Sequence, residues 1–113
     1  MSSKQLPNYL RTNRKRLALS QDEVAFLLGT QSGAKVSRYE QFARVPSLET
    51  ALACEVIFQR SASELFGGLY QKVEQQVAER AEALSRQTER RKLTRPVVQK
   101  RQVLTQLAAL HTK

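Results

Sequence analysis

Apolar positions recur along the chain at three- and four-residue steps, and no stretch alternates apolar with polar as a half-buried strand would, so the pattern predicts helices throughout. The first runs from about Leu6 to Leu17, with Leu6, Leu10 and Leu17 on a common face and Pro7 in its first turn, where a missing N–H costs little. The second opens at Ser20-Gln21-Asp22-Glu23, a capping box in which Ser20 and Glu23 satisfy each other's backbone donors, and ends at Gly29. A third follows a very short turn, from about Ser32 to Phe42. At about 100° per residue its faces separate, with Val36, Tyr39 and Ala43 on one side and Gln31, Lys35 and Arg38 on the other. Pro46-Ser47 opens a fourth helix from about Leu48 to Phe58. Ser61-Ala62-Ser63-Glu64 is a second capping box, opening a short fifth helix that stops at Gly67-Gly68.

The glycine pair is the expected domain boundary, giving residues 1–68 and 69–113. After it, Leu69, Val73, Val77, Ala81 and Leu84 form a narrow apolar stripe on one long helix reaching toward Arg91. Thr94 and Pro96 mark a new start, and the last helix spans about Pro96 to Leu110, with Leu104 and Leu107 among its apolar residues. A narrow stripe resembles an interhelical seam more than a broad core face. The extension therefore reads as a dimerisation element through Leu69, Val73, Val77, Leu84, Leu104 and Leu107, the alternative being packing on its own domain.

Composition narrows the function. The chain has 113 residues, enough for one compact domain with an extension, and 41% of them are hydrophobic, enough for a core. No run of about 18 apolar residues is present, so no membrane span or membrane partner is expected. The first residues lack the apolar stretch of a signal peptide, and a cytoplasmic location is the expectation. Cys54 is the single cysteine and His111 the single histidine, so neither a multi-cysteine metal site nor a histidine-based triad is expected, and no metal or cofactor. Cys54 lies within an apolar helix and reads as a core residue, and His111 as a surface residue near the end. The four glutamates of the long helix are interspersed with basic residues and read as a solvated face. No catalytic constellation is visible, and an enzyme is not expected.

Charge adds a partner. Lys and Arg number 19 against 10 Asp and Glu, net +9, which favours a polyanion through phosphate contact and counterion release. Residues 1–66 carry nine basic and six acidic groups, and residues 67–113 carry ten and four, so the extension is the more basic part. Arg86 to Arg101 holds seven basic residues against Glu89. That segment reads either as a flanking-DNA contact or as a solvated face.

Two helices joined around a glycine form the geometry in which one helix braces the DNA backbone while the next enters the major groove. Gln31, at the start of the third helix, suits adenine, and Lys35 or Arg38 suits guanine. Ser32 can reach a base edge or a phosphate, Gly33 and Ala34 permit close approach, and Ser37 lies on the same helix. Gln21 can clamp a phosphate at the start of the second helix, and Arg44, in the loop after the third, is placed for another. Lys15 and Arg16 suit either phosphate or the helix dipole.

Residues 6–66 resemble the Cro and lambda-repressor-like family, the xenobiotic-response-element type. The resemblance runs through Leu19-Ser20-Gln21-Asp22-Glu23-Val24-Ala25, Leu28-Gly29, Ser37-Arg38-Tyr39-Glu40, Arg44-Val45-Pro46-Ser47-Leu48 and Glu64-Leu65-Phe66. It covers about half the chain. It implies an all-α fold, a five-helix lambda-repressor-like DNA-binding domain here followed by a two-helix C-terminal extension. It also implies binding to double-stranded DNA as a symmetric homodimer, usually with repression of transcription, and an ion pair between Arg14 and Glu40. The segment from Gly29 to Glu40 is one residue longer than the common pattern, and the family usually has glycine where Phe42 stands. Residues 69–113 match nothing in the minimal family domain.

The expected function is thus a sequence-specific transcriptional regulator, a repressor on an inverted-repeat operator. One alternative is an antitoxin-like DNA-binding protein whose C-terminal helices hold a partner protein. Another is an interaction adaptor that kept the fold and lost DNA binding.

Overall fold

The computed structural model describes residues 6–110, so His111 lies outside the described residues. The chain is all-helical there, with no strand among the described residues: α1 Leu10–Arg16, α2 Gln21–Leu28, α3 Gly33–Glu40, α4 Leu48–Phe58, α5 Ala62–Leu65, α6 Gly67–Thr88 and α7 Arg95–Ala109. It divides into two compact units after Tyr70, inside α6 and two residues beyond the expected boundary. No helix among the described residues is long and apolar enough to cross a membrane.

The first unit is built around Leu10, Val24, Ala25, Val36, Tyr39, Cys54, Phe58, Leu65 and Phe66, with Leu19, Leu28, Ala51, Ile57, Ala62 and Leu69 packed against that cluster. Contributions from every helix up to the start of α6 make this one core. Helix α1 is shorter than its apolar pattern predicts because Leu6 to Tyr9 are not helical. Asn8, buried, donates its side-chain amide to the Tyr39 carbonyl at 2.9 Å and accepts the Leu10 N–H at 3.2 Å, so it ties the entry of α1 to α3.

The capping boxes form as expected. Ser20 Oγ accepts the Glu23 N–H at 3.0 Å while Glu23 accepts the Ser20 N–H at 2.8 Å. Ser61 and Glu64 repeat the arrangement, and the backbone and side-chain hydrogen bonds from Ser61 hold the Glu64 carboxyl below its ordinary range.

Gly67-Gly68, expected to stop a helix, instead opens α6. The Gly68 N–H donates to the Leu6 carbonyl at 2.8 Å. A Cβ on Gly68 would run into that carbonyl oxygen and come within 2.8 Å of Pro7 Cα. The glycine serves close backbone approach, and α5 ends at Leu65.

In the second unit Ala78, Ala81, Thr88, Val97 and Leu104 are buried. The hidden face of α6 therefore consists of small residues. The Arg101 guanidinium donates to the carbonyls of Thr88 at 2.9 Å and Glu89 at 3.0 Å, satisfying acceptors that the end of a helix leaves without a partner. Thr94 caps α7, its hydroxyl accepting the Val97 N–H at 3.4 Å.

Candidate nucleic-acid interface

Among the described residues, helices α2 and α3 make the most extensive helix–helix contact. What joins them follows from the sequence. Gly29 takes a left-handed conformation, φ +78°, and the Thr30 N–H reaches back to the Ala25 carbonyl at 2.9 Å, which closes α2. Thr30 to Ser32 then form the whole connection. Ser32 is extended at the start of α3, but its side chain caps nothing. The free N–H of Gly33 is instead taken by Asp22 Oδ1 at 2.9 Å, a carboxylate from the first turn of α2. Gly33 is buried at this crossing. A Cβ there would lie 2.6 Å from Asp22 Oδ1, 3.0 Å from Gln21 Cβ and 3.1 Å from the Asp22 nitrogen. Gly33 therefore sets how closely α3 lies on α2, and its bare Cα faces α2, not outward as the base-contact reading expects.

The far end of α3 is fastened by charge. Arg14 Nε donates to Glu40 Oε2 at 2.5 Å and Nη2 to Oε1 at 3.3 Å, while Nη1 donates to the Leu19 carbonyl at 2.9 Å. The two side chains are 12% and 5% exposed, so the ion pair that the family resemblance implies is present and largely desolvated. Gln21 joins it, donating its amide to Glu40 Oε1 at 3.1 Å. Beyond Glu40 the chain turns through Phe42 at φ +58°. The Phe42 N–H bonds the Tyr39 carbonyl at 3.0 Å and the Ala43 N–H bonds that of Arg38 at 2.9 Å. This is the hydrogen-bond pattern of a Schellman motif, with phenylalanine at the position that favours glycine.

With both ends fixed, the faces of α3 are defined. Val36, Tyr39 and Gly33 are buried, and at about 100° per residue the opposite direction falls on Ala34, Arg38 and Gln41, all exposed. Of the residues expected to meet DNA, Gln31, Ser32, Arg38 and Arg44 are exposed; Gln21, Lys35 and Ser37 are half-buried; Gly33 is buried. Lys35 lies at the edge of the outer face. Ala34, read from the sequence as permitting close approach, shares the outer face with Arg38, and Gln41, three residues beyond Arg38, joins them although the sequence reading passes over it.

Beside this face lies an open depression of about 550 Å³, lined by Arg11, Arg14, Lys15, Ser20, Gln21, Ser37, Glu40 and Gln41. Arg11 and Lys15 are exposed there and form no ion pair among the described residues. Arg14 and Glu40 spend their charge on each other, so the depression is positive in balance. Arg16 donates to the Phe58 carbonyl at 2.9 Å and so serves the fold. Arg11 escaped the sequence reading, since nothing in its spacing marks it apart from its neighbours on α1.

The residues expected to pair two subunits separate into groups. Leu69 packs against the core of the first unit, Leu104 is buried and Leu107 is half-buried, so none of these three offers a free apolar surface. Val73, Val77 and Leu84 stay open on α6, 45%, 36% and 42% exposed. The stripe read from the sequence thus belongs partly to the interior and partly to the surface.

Among the described residues no group of three or more His, Cys, Asp or Glu is placed to hold a metal ion. Cys54 is buried, and desolvation pushes its thiol up to about 11, which suppresses the thiolate. The chain matches no protein-family model, no curated protein and no solved structure.

Proposed function

We propose that this chain is a sequence-specific DNA-binding transcriptional regulator, with α1 to α5 as a lambda-repressor-like domain. Helix α3 reads base edges in the major groove while the N-terminal end of α2 braces the backbone. The observation that carries this reading is a division of labour within the α2–α3 pair. Asp22 and Glu40 hold the two ends of α3, and Ala34, Arg38 and Gln41 are left on an exposed face with no structural partner in the core. Arg38 presents a planar fork suited to guanine O6 and N7, Gln41 an amide suited to adenine, and Ala34 a methyl suited to the thymine methyl. Arg11, Lys15 and Arg44 supply phosphate contacts around that face.

The regulator acts as a homodimer on an inverted repeat with half-sites about 34 Å, one helical turn, apart, and represses by occupancy. The exposed Val73, Val77 and Leu84 of α6 are the apolar surface assigned to the second copy. The test is a selection of bound duplexes from a random pool at about 150 mM salt, where purely electrostatic binding is suppressed. An enriched inverted repeat, bound more weakly and with preference relaxed at one base position in Arg38→Ala, is the expected result. Recovery of unenriched sequence would overturn the reading.

A further inference from the structure

The base-reading face leaves the most basic part of the chain unexplained. From Arg86 to Arg101 there are seven basic residues against Glu89. Two of the seven are engaged: Arg86 pairs with Glu82 at 3.4 Å, and Arg101 is spent on the carbonyls of Thr88 and Glu89. The other five, Arg90, Arg91, Lys92, Arg95 and Lys100, are exposed and form no ion pair among the described residues.

The backbone that carries them is fastened. The Thr88 carbonyl accepts both the Arg91 N–H at 3.1 Å and the Arg101 guanidinium, and Thr88 itself is fully buried. Arg90, Arg91 and Lys92 therefore project from a fixed turn between α6 and α7, with Arg95 at the first position of α7. Helix electrostatics give an independent indication. The first turn of α7 has no acidic residue and begins with Arg95, and its last turn has no basic residue. A helix dipole on its own favours the reverse arrangement, so this end of α7 is improved by an external anion.

We propose that the α6–α7 turn is a second surface for the phosphate backbone of duplex DNA, independent of base sequence. Residues 71–113 contain no Phe, Tyr or Trp. That removes the stacking platforms that single-stranded nucleic acid uses, and the aromatic residues that anchor a chain at a membrane interface. Arginine forks and a lysine on a fixed turn suit paired phosphate oxygens. The inference extends the reading of α3 to a second surface and shares with it only the duplex as partner.

The test uses the full chain and a labelled duplex of random sequence, with binding followed by fluorescence anisotropy from about 50 to 300 mM salt. Each phosphate contact adds about 0.9 to the slope of log K against log salt. The variant R90Q/R91Q/K92Q/R95Q should lose about 2–4 from the magnitude of that slope and bind at least about tenfold more weakly at low salt. The control K72Q/R80Q, which removes exposed cations from the body of α6, should change the slope less. Circular dichroism verifies that each variant stays helical. A slope unchanged in the fourfold variant would overturn the proposal. So would a variant that keeps the duplex slope but loses binding to phosphatidylserine vesicles, since the surface would then be a lipid site. Arg38→Ala separates the two readings. It should weaken binding to a selected site and relax preference at one base position while leaving the slope contributed by the turn. A variant that keeps its site preference would sink the α3 reading and leave this one standing.

Discussion

Removing Arg14 should unfold the first unit far more readily than its position on a short surface helix suggests. Arg14→Met keeps much of the aliphatic volume but takes away both guanidinium bonds to Glu40 and the bond to the Leu19 carbonyl. Glu40, 5% exposed, then retains only the Gln21 amide at 3.1 Å. A carboxylate left in that state has lost most of its hydration and its counter-charge together, which costs about 3–5 kcal/mol. Replacing both partners, Arg14→Met with Glu40→Leu, removes the orphaned charge and should return stability to within about 1–2 kcal/mol of the parent, or above it. The assay is urea unfolding followed by tyrosine fluorescence. All three tyrosines, Tyr9, Tyr39 and Tyr70, lie in the first unit and the chain has no tryptophan, so the signal reports that unit alone. If Arg14→Met costs under about 1 kcal/mol, the pair is solvated and the argument from burial fails. If the double variant is as unstable as the single, lost packing and not orphaned charge is the cause.

Three further outcomes follow from the same structure. Arg38→Ala should cost about 1–3 kcal/mol of specific binding and relax preference at one base position, whereas Lys35→Ala, at the edge of the outer face, should weaken all sequences alike and lower the salt slope by about 1; a selection and a salt titration of each variant distinguish these. Gly33→Ala gains about 1 kcal/mol of helix propensity but forces a Cβ against the Asp22 carboxylate and backbone, an overpacking cost of about 1–3 kcal/mol, so a net loss of stability and weaker site binding are expected, and a rise in the urea midpoint would refute the close crossing. For Cys54 the folded thiol is raised to about 11, above the unfolded value of about 8.5, so its contribution is whole below about 8.5 and disappears as pH rises toward 11; thiol labelling at pH 8 should wait on unfolding, and rapid labelling of the native chain would contradict the burial.

Much of the fold was legible because its punctuation is local. Ser20, Ser61 and Thr94 cap the helices they precede, Gly29 ends α2, and α4 spans Leu48–Phe58 as its pattern predicts. What escaped was decided by atoms distant in sequence. Gly67-Gly68 reads as a breaker because glycine often is one, but at Gly68 the requirement is for space against the Leu6 carbonyl. Nothing next to α3 in sequence marks what caps it, because the carboxylate that takes the Gly33 N–H comes from Asp22, eleven residues before that glycine. Gln21 reads as a free phosphate clamp, yet its amide is held by Glu40. The departure at Phe42 is explained by backbone: the position needs a left-handed φ, which glycine adopts freely and phenylalanine adopts at a cost. In α6 an apolar period alone does not say which neighbouring stripe is hidden. The structure hides Ala78 and Ala81 and leaves Val73 and Val77 open.

The cap that α3 borrows from α2 also bears on how such a chain can change its target. Because Asp22 serves the first N–H of α3, the side chains of Gln31, Ser32 and Ala34 carry no structural duty at that helix start. On the proposed function, substitutions at these positions and at Arg38 would alter what the protein touches while leaving the bonds that hold the two ends of α3. A chain with the proposed function, arranged in this way, would drift to a new site by single steps, each paid for in specificity and not in stability.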